Sequence, residues 1–331
     1  MIRQQRYGWT AGTLCLSLFF ILSVRISAKD NAVTTETLIE NHRAAVGNMG
    51  TLSEVRSRGI SGKASVKFIL GATGDNSAGQ FMLVSEGRKL GIKMTFDDVN
   101  YPCEHFAFDG NDVSVGYITP RQRSPLGEFI FLYNAIMKEG FLSGVLSTAW
   151  PLLDSDEKQA GLKLNVSEVE VEGQRLYALD YGTPGKRPGN MKIRLFFNMK
   201  NFRHVRTEYR VHMADDLTAA RKILTSDDLS LSRAIGGSDS SIFIAGEPGR
   251  MTQKPTIMDS LPDSKYLMVE KFDNFADVGG LVLPLDYSIY YSVEGQGLSF
   301  IGEWKVVPEY FTRNGDDIDQ SFFKATGAEQ E

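Results

Sequence analysis

The stretch Ile60–Leu70, ISGKASVKFIL, decides the fold class. Its even positions read Ile60, Gly62, Ala64, Val66, Phe68 and Leu70, while Ser61, Lys63, Ser65 and Lys67 fill four of the odd ones. A period of two sends alternate side chains to opposite faces of a strand, one covered and one wet. Arg88–Phe96 repeats the pattern, with Leu90, Ile92, Met94 and Phe96 facing away from Lys89, Lys93 and Thr95. Working outward, similar runs occur at Phe81–Ser85, Glu104–Phe108, Val113–Tyr117, Leu162–Val171, Leu176–Tyr181 and Met191–Phe197. Val205–Val211, Tyr266–Glu270, Leu281–Val293 and Leu298–Val306 complete the set. Turns between them are mostly short and rich in Gly, Asn and Asp, such as Asp109-Gly110-Asn111.

Connections of that length join antiparallel neighbours, because parallel pairs need a long crossover. A twisted antiparallel sheet of more than about ten strands seldom stays open without curling. The sequence therefore predicts a mainly β (α+β) chain. Its architecture is a single strongly curved antiparallel sheet, a barrel or part of one, covered by a few helices.

Two helical regions interrupt the alternation. Thr34 or Thr35 can cap a helix that places Leu38, Ile39, Ala45 and Val46 on one stripe, with Gly47 expected to end it in a left-handed conformation. The second region, 124–154, is apolar without alternation and opens on Ser124-Pro125, an N-cap followed by proline at the first helical position. Gly140 and Gly144 are expected to separate two helical pieces, and Pro151 to limit the second. This reads as a helix-turn-helix inserted between strands, a lid over the sheet. A further break, 213–265, is polar and irregular and reads as a long surface loop.

The 331 residues carry 36 basic and 41 acidic side chains, a formal net charge of −5, which argues against a nucleic-acid binder that would need a basic face. With 42% apolar residues a core can form, and with two cysteines no disulfide framework can. Arg3 and Arg6, the uncharged run Thr10–Val24 and the small pair Ser27-Ala28 describe a secretory signal peptide over 1–28. The run is shorter than the ~20 residues a membrane-spanning helix needs. The expected location is the periplasm, with a single folded domain over 29–331; left uncleaved, the segment would tether the chain to a membrane. After cleavage Cys103 is the one remaining thiol, expected to be buried and inert.

Enzyme signatures are missing. There is no Gly-x-Ser-x-Gly elbow, no Walker loop, no Gly-x-Gly-x-x-Gly after a strand and no His-Glu-x-x-His. His42, His105, His204 and His212 share no metal-ligand spacing and read as surface or strand histidines, with His204 and His212 on one face if their strand is regular. Glu104 and His105 are adjacent strand residues, so they point to opposite faces and do not form a catalytic pair. Asp97-Asp98, Asp215-Asp216, Asp227-Asp228 and Asp316-Asp317 lack graded calcium-ligand spacing. Lys186-Arg187 and Arg121–Arg123 are short basic clusters beside prolines, loop charges by default. No metal, no cofactor and no catalysis are expected.

What remains is a surplus of large apolar side chains. Phe68, Phe81, Leu90, Met94, Phe96, Phe106, Phe108, Val115 and Tyr117 would line the covered side of successive strands. Phe129, Leu132, Tyr133, Ile136 and Trp150 would face them from the lid. A packed core is one explanation. The other is an apolar space for a ligand, since Phe, Met and Tyr suit adaptable surfaces and half-open barrels can hold one.

Met191–Val211, MKIRLFFNMKNFRHVRTEYRV, and Asn274–Tyr290, NFADVGGLVLPLDYSIY, carry a resemblance. With the N-terminal helix and the helical insertion, the chain resembles the LolA/LolB-like periplasmic lipoprotein carriers and the outer-membrane lipoprotein-sorting proteins related to them. The resemblance implies an incomplete β-barrel closed by helices, with an apolar cavity shielding lipoprotein acyl chains or similar lipids. It implies no cofactor and no catalysis; a monomer that binds no nucleic acid and releases its lipid to a membrane-bound envelope partner is expected. The alternative on the same fold is an envelope sensor or protein-interaction module without cargo.

Overall fold

The computed structural model describes residues 33–71, 77–153, 163–182, 191–212, 265–295, 298–315 and 318–325. The expected export segment 1–28, the loop residues 213–264, Lys186-Arg187 and the three acidic pairs from Asp215 onward lie outside the described residues.

The first meander of the sheet runs β1 (Ser57–Leu70), β2 (Ser77–Glu86), β3 (Lys89–Phe96), β4 (Cys103–Phe108) and β5 (Val113–Val115). The second runs β6 (Lys163–Val171), β7 (Gln174–Gly182), β8 (Lys192–Asn198), β9 (His204–His212), β10 (Lys265–Val278), β11 (Leu281–Gly295) and β12 (Leu298–Arg313). All twelve strands form one antiparallel sheet in the order β5-β4-β3-β2-β1-β12-β11-β10-β9-β8-β7-β6, not closed into a barrel. The two meanders meet at the β1–β12 seam, and β5 and β6 are the opposite edges. The connection from β5 to β6 must therefore cross from one edge to the other, and it is this connection that carries the inserted helices.

Alternation settles the faces. Ile60, Ala64 and Val66 of β1, Leu90, Ile92, Met94 and Phe96 of β3, and Phe106 and Phe108 of β4 are all buried, as expected. The pattern fails at the end of β1, where Ile69 and Leu70 are exposed because the strand runs past the covered part of the sheet. Val113–Tyr117 is shorter than expected: the strand stops at Val115, and Tyr117 is half-buried beyond it. β10 and β12 are longer than their apolar runs, since solvent-facing residues extend the ladder without leaving an apolar stripe.

The seam carries a register shift between Ser61 and Gly62, where Gly62 faces Pro308. Proline has no N–H to give the ladder, so a bulge there is the physical outcome. A Cβ at Gly62 would sit 2.1 Å from the Val307 carbonyl oxygen. Gly62→Ala is expected to destabilise the fold by about 1–3 kcal/mol through forced backbone movement, read as a lower midpoint in urea unfolding.

Helix α1 (Thr35–Val46) is capped by Thr34, whose hydroxyl accepts from the Thr37 amide, and buries Leu38, Ile39, His42 and Val46. Its C-cap differs from expectation: Gly47 is extended, with φ 172°, and bridges to Leu281. The approach is close, since a Cβ there would lie 2.9 Å from Leu281 Cδ2 and that side chain would have to shift. A short α2 (Met49–Glu54) follows, capped by Asn48. In the insertion, Ser124 caps α3 (Pro125–Leu132), and α4 (Ala135–Lys138) follows it. The second expected helix is absent: Phe141–Leu153 instead contains two 3₁₀ turns, Gly144–Leu146 and Pro151–Leu153. Gly140, Ser143 and Gly144 all have positive φ, which ends helical propagation three times within five residues. Among the described residues, no helix is long and apolar enough to cross a membrane.

Candidate functional site

The described part of the insertion, 116–153, packs on the inward face of the sheet, and its attachment is unusual. Much of it runs through buried charged or polar side chains rather than apolar contact alone. Arg58 of β1, only 4% exposed, donates from Nη1 to the carbonyl oxygens of Val145 and Leu146, at 2.5 and 3.0 Å. Burial, with repulsion from Arg313, pulls its pKa down to about 10, so it remains a cation at neutral pH. Arg43 of α1 donates to the Leu152 carbonyl at 2.8 Å. Ser85 of β2 accepts from the Thr148 amide at 3.1 Å, and the Thr148 hydroxyl donates to the Gly87 carbonyl at 2.9 Å.

Two carboxyls complete the attachment. Glu270 of β10, fully buried, accepts from the Ser143 amide at 2.7 Å, the Tyr209 hydroxyl at 2.7 Å and the Tyr287 hydroxyl at 2.6 Å. Burial pushes its pKa up to about 7 despite those three donors. Glu104 of β4 takes hydrogen bonds from the Tyr101 and Ser124 hydroxyls, and burial likewise raises it to about 7. Trp304 of β12 donates to the Tyr101 hydroxyl at 3.0 Å, tying this carboxyl to the seam. Neither carboxyl has a cationic partner among the described residues.

Three of the histidines, His105, His204 and His212, lie on strands as expected, and His42 departs from the reading by lying buried on a helix. His42 and His204 are not surface residues but lie buried around Trp150. Trp150 Nε1 donates to His42 Nε2 at 2.9 Å, and His42 Nδ1 lies 3.0 Å from the Phe202 carbonyl. That pairing assigns the neutral tautomer with its proton on Nδ1. Trp150 also stacks on His204 at 4.6 Å, and His204 Nε2 lies 2.9 Å from the Thr207 hydroxyl. Burial lowers His42 to about 4 and holds His204 well below the ordinary imidazole value. The His42 ring should thus stay neutral to about pH 4; a ring-nitrogen NMR titration between pH 8 and 5 is expected to show no shift of that residue. His204 and His212 do not share a face, because the register shift at Phe196/Phe197 breaks the strand period and leaves only His204 buried.

Of the predicted lining residues, Phe81, Leu90, Met94, Phe96, Phe106, Phe108, Val115, Phe129, Tyr133, Ile136 and Trp150 are buried in one continuous cluster. Phe68 and Leu132 are half-buried at its margin, and Tyr117 is half-buried. Phe68 packs on Tyr101 at 4.8 Å, and Phe129 on Tyr133 and Tyr291 at 4.9 and 5.2 Å. Leu90, Met94, Phe106 and Ile136 have no accessible surface at all. A cavity of about 460 Å³ lies elsewhere, lined by Lys192, Arg210, Tyr266, Leu267, Ser292 and Glu294 among others, at the ends of β8 to β11. None of those residues is a predicted lining residue.

Arg123 is more than a loop charge. Its guanidinium lies 3.7 Å from the Phe131 ring centre and 4.8 Å from that of Tyr117, and it pairs with Glu128 at 3.3 Å. It braces α3 from outside. Glu104 and His105 do face opposite ways: Glu104 turns inward, while His105 packs on Phe322. Among the described residues, no cluster of three or more His, Cys, Asp or Glu is placed to hold a metal ion.

No protein-family model matches the chain. No curated protein matches it by sequence. Solved structures do. The chain is similar to a LolA superfamily protein from Nitrosomonas europaea, at 13% identity and a TM-score of 0.40, over 88% of this chain and 99% of that one. It is also similar to an outer-membrane lipoprotein-sorting protein domain from Vibrio parahaemolyticus, at 10% identity and a TM-score of 0.38, over 86% and 94%. A DUF1329 family protein from Desulfovibrio piger gives 9% identity and a TM-score of 0.40, over 87% and 96%.

Proposed function

We propose that this chain is an exported, non-catalytic binding or carrier protein for acyl chains, with the lid displaced to expose the inward face of the sheet. One observation carries the reading: the lid donates hydrogen bonds to buried Glu270 and Glu104 and accepts them from buried Arg58. A segment meant only to fill a core is better served by apolar contact, because a desolvated charge is expensive unless paired. Hydrogen bonds to lid backbone can be broken and remade as units, and they leave an apolar surface behind. Each methylene buried there in place of the lid is worth about 0.8 kcal/mol. A partner with higher affinity for the lipid would then drive release, since a ligand moves only down a difference in binding free energy.

In this reading Phe81, Leu90, Met94, Phe96, Phe106 and Phe108 form the floor, and Phe129, Tyr133, Ile136 and Trp150 the underside of the lid. The protein, purified from its native host and extracted with organic solvent, should yield bound lipid, and the stripped protein should take up a fluorescent fatty acid. Neither lipid nor uptake would end the carrier reading.

A second reading, an envelope sensor or protein-interaction module without cargo, is favoured by the complete burial of Leu90, Met94, Phe106 and Ile136 in the closed form. Deleting 214–264 separates the two: a carrier keeps its lipid uptake, whereas a sensor whose contact lies in that loop loses its partner in a pull-down.

A further inference from the structure

We propose that the lid is a pH-sensitive latch: two sheet carboxyls, one at the start of its first helix and one just past its α-helical part, hold it down in acid and loosen it as they ionise. The proposal rests on the lid of the binding reading and adds what governs it.

The two carboxyls occupy equivalent positions. Glu104 meets the lid where it begins, at the Ser124 cap of α3, with a Cβ built on Gly127 only 3.4 Å from Glu104 Oε2. Glu270 meets it where the helical part has ended, at the Ser143 amide. Both are buried in the closed form. The groups facing Glu270 are Tyr209 and Thr207 from β9, Tyr287 from β11 and the Ser143 amide from the lid. Those facing Glu104 are Tyr101 before β4 and Ser124 of the lid, with Trp304 of β12 reaching Tyr101. None carries positive charge. His204, packed on Phe272 and beside Gly144, is held neutral by burial, and Arg58 is committed to the Val145 and Leu146 carbonyls. An ionised carboxylate under the closed lid therefore has hydrogen bonds but no counter-ion.

The sign follows from burial. Beneath the lid each carboxyl titrates at about 7, against an ordinary 4.5 once solvated. The closed form thus binds protons more tightly and is favoured as pH falls from 7 toward 4.5; above 7 that advantage is gone. Between pH 6 and pH 8.5 each carboxyl should shift the closed-to-open ratio about tenfold. His42, at about 4, contributes nothing in that window.

Amide hydrogen exchange of the lipid-free protein, corrected for intrinsic rate, tests this directly. Protection of segment 125–153 should fall at least tenfold from pH 6 to pH 8.5, while that of β11 and β12 holds. Glu270→Gln combined with Glu104→Gln, which mimics the neutral carboxyls, should flatten the slope. Should that variant not fold, Tyr287→Phe removes one donor to the carboxylate and should move the midpoint to higher pH. A flat wild-type profile, or an unchanged slope or midpoint in the variants, overturns the latch. Lipid uptake is scored separately. A pH-dependent lid on a protein that takes up no lipid supports the latch and removes the carrier, and the reverse result does the opposite.

Discussion

Trp150→Ala is expected to destabilise the protein by about 3–5 kcal/mol, the usual range for deleting a fully buried indole. The side chain is 1% exposed and is contacted from three directions. It donates to His42 on α1, stacks on His204 of β9 and meets Phe141 edge-on at 6.2 Å. Removing it leaves a void between lid, helix and sheet, and also leaves His42 Nε2 without its donor. That nitrogen is buried, so the lost hydrogen bond adds to the cavity cost. Calorimetry should show a fall in Tm of roughly 10 °C, given the few degrees per kcal/mol typical of domains this large. Trp150→Phe should recover most of the packing but not the hydrogen bond. A change below 1 kcal/mol for Trp150→Ala would mean that the lid contributes little to stability.

The second large effect is local. Arg58→Met should leave the sheet intact and release the lid, because the change deletes the donor to two buried carbonyls while returning little desolvation energy to them. Each unsatisfied carbonyl costs about 1–3 kcal/mol, so exchange of the amides in 141–153 should accelerate by roughly two orders of magnitude. The global unfolding midpoint should move less, since the same substitution removes a buried cation that folding had to desolvate. Arg58→Lys should fall between, having a compact head that replaces a fork. Equal acceleration across sheet and lid would show that Arg58 stabilises the whole domain instead of the lid.

The sheet was legible in the sequence because a period of two is a local signal. Leu90, Ile92, Met94 and Phe96 announce their face without reference to any partner strand, and all four are buried. Strand order was not local. Nothing in Ser57–Leu70 names Leu298–Arg313 as its neighbour, so the β1–β12 seam emerged only from the structure. The lid was legible as an apolar interruption that starts at Ser124, but its second half was misassigned. A second helical piece is expected up to Pro151, whereas the positive φ values at Ser143 and Gly144 leave that stretch as a 3₁₀ turn.

The residues that hold the lid were missed for a different reason. Arg58, Glu104 and Glu270 are charged residues in amphipathic strands, and every such strand is expected to carry charges on its wet face. One clue was available: Arg58 lies at an even position, in phase with Ile60 and Val66, and Glu104 is in phase with Phe106 and Phe108. Glu270 is likewise in phase with Met268 and Phe272; a charge in the apolar phase of a strand is a candidate for a buried role, and here three such charges have one. His42 offered the same signal, falling in register with Leu38, Ile39 and Val46 on the buried stripe of α1.

The seam between β1 and β12 has a consequence for how the chain is made. The first meander can pair within itself as it emerges, but β1 is an interior strand of the finished sheet and its second neighbour is the last strand to appear. Until Leu298–Arg313 has left the ribosome, Ser57–Leu70 presents a long unpaired edge. Its ladder is completed by residues more than two hundred positions downstream, a contact that loop closure makes slow to form. Chains truncated before residue 298 should therefore self-associate through this edge, and a nascent chain would depend on a holdase until its final strand arrives.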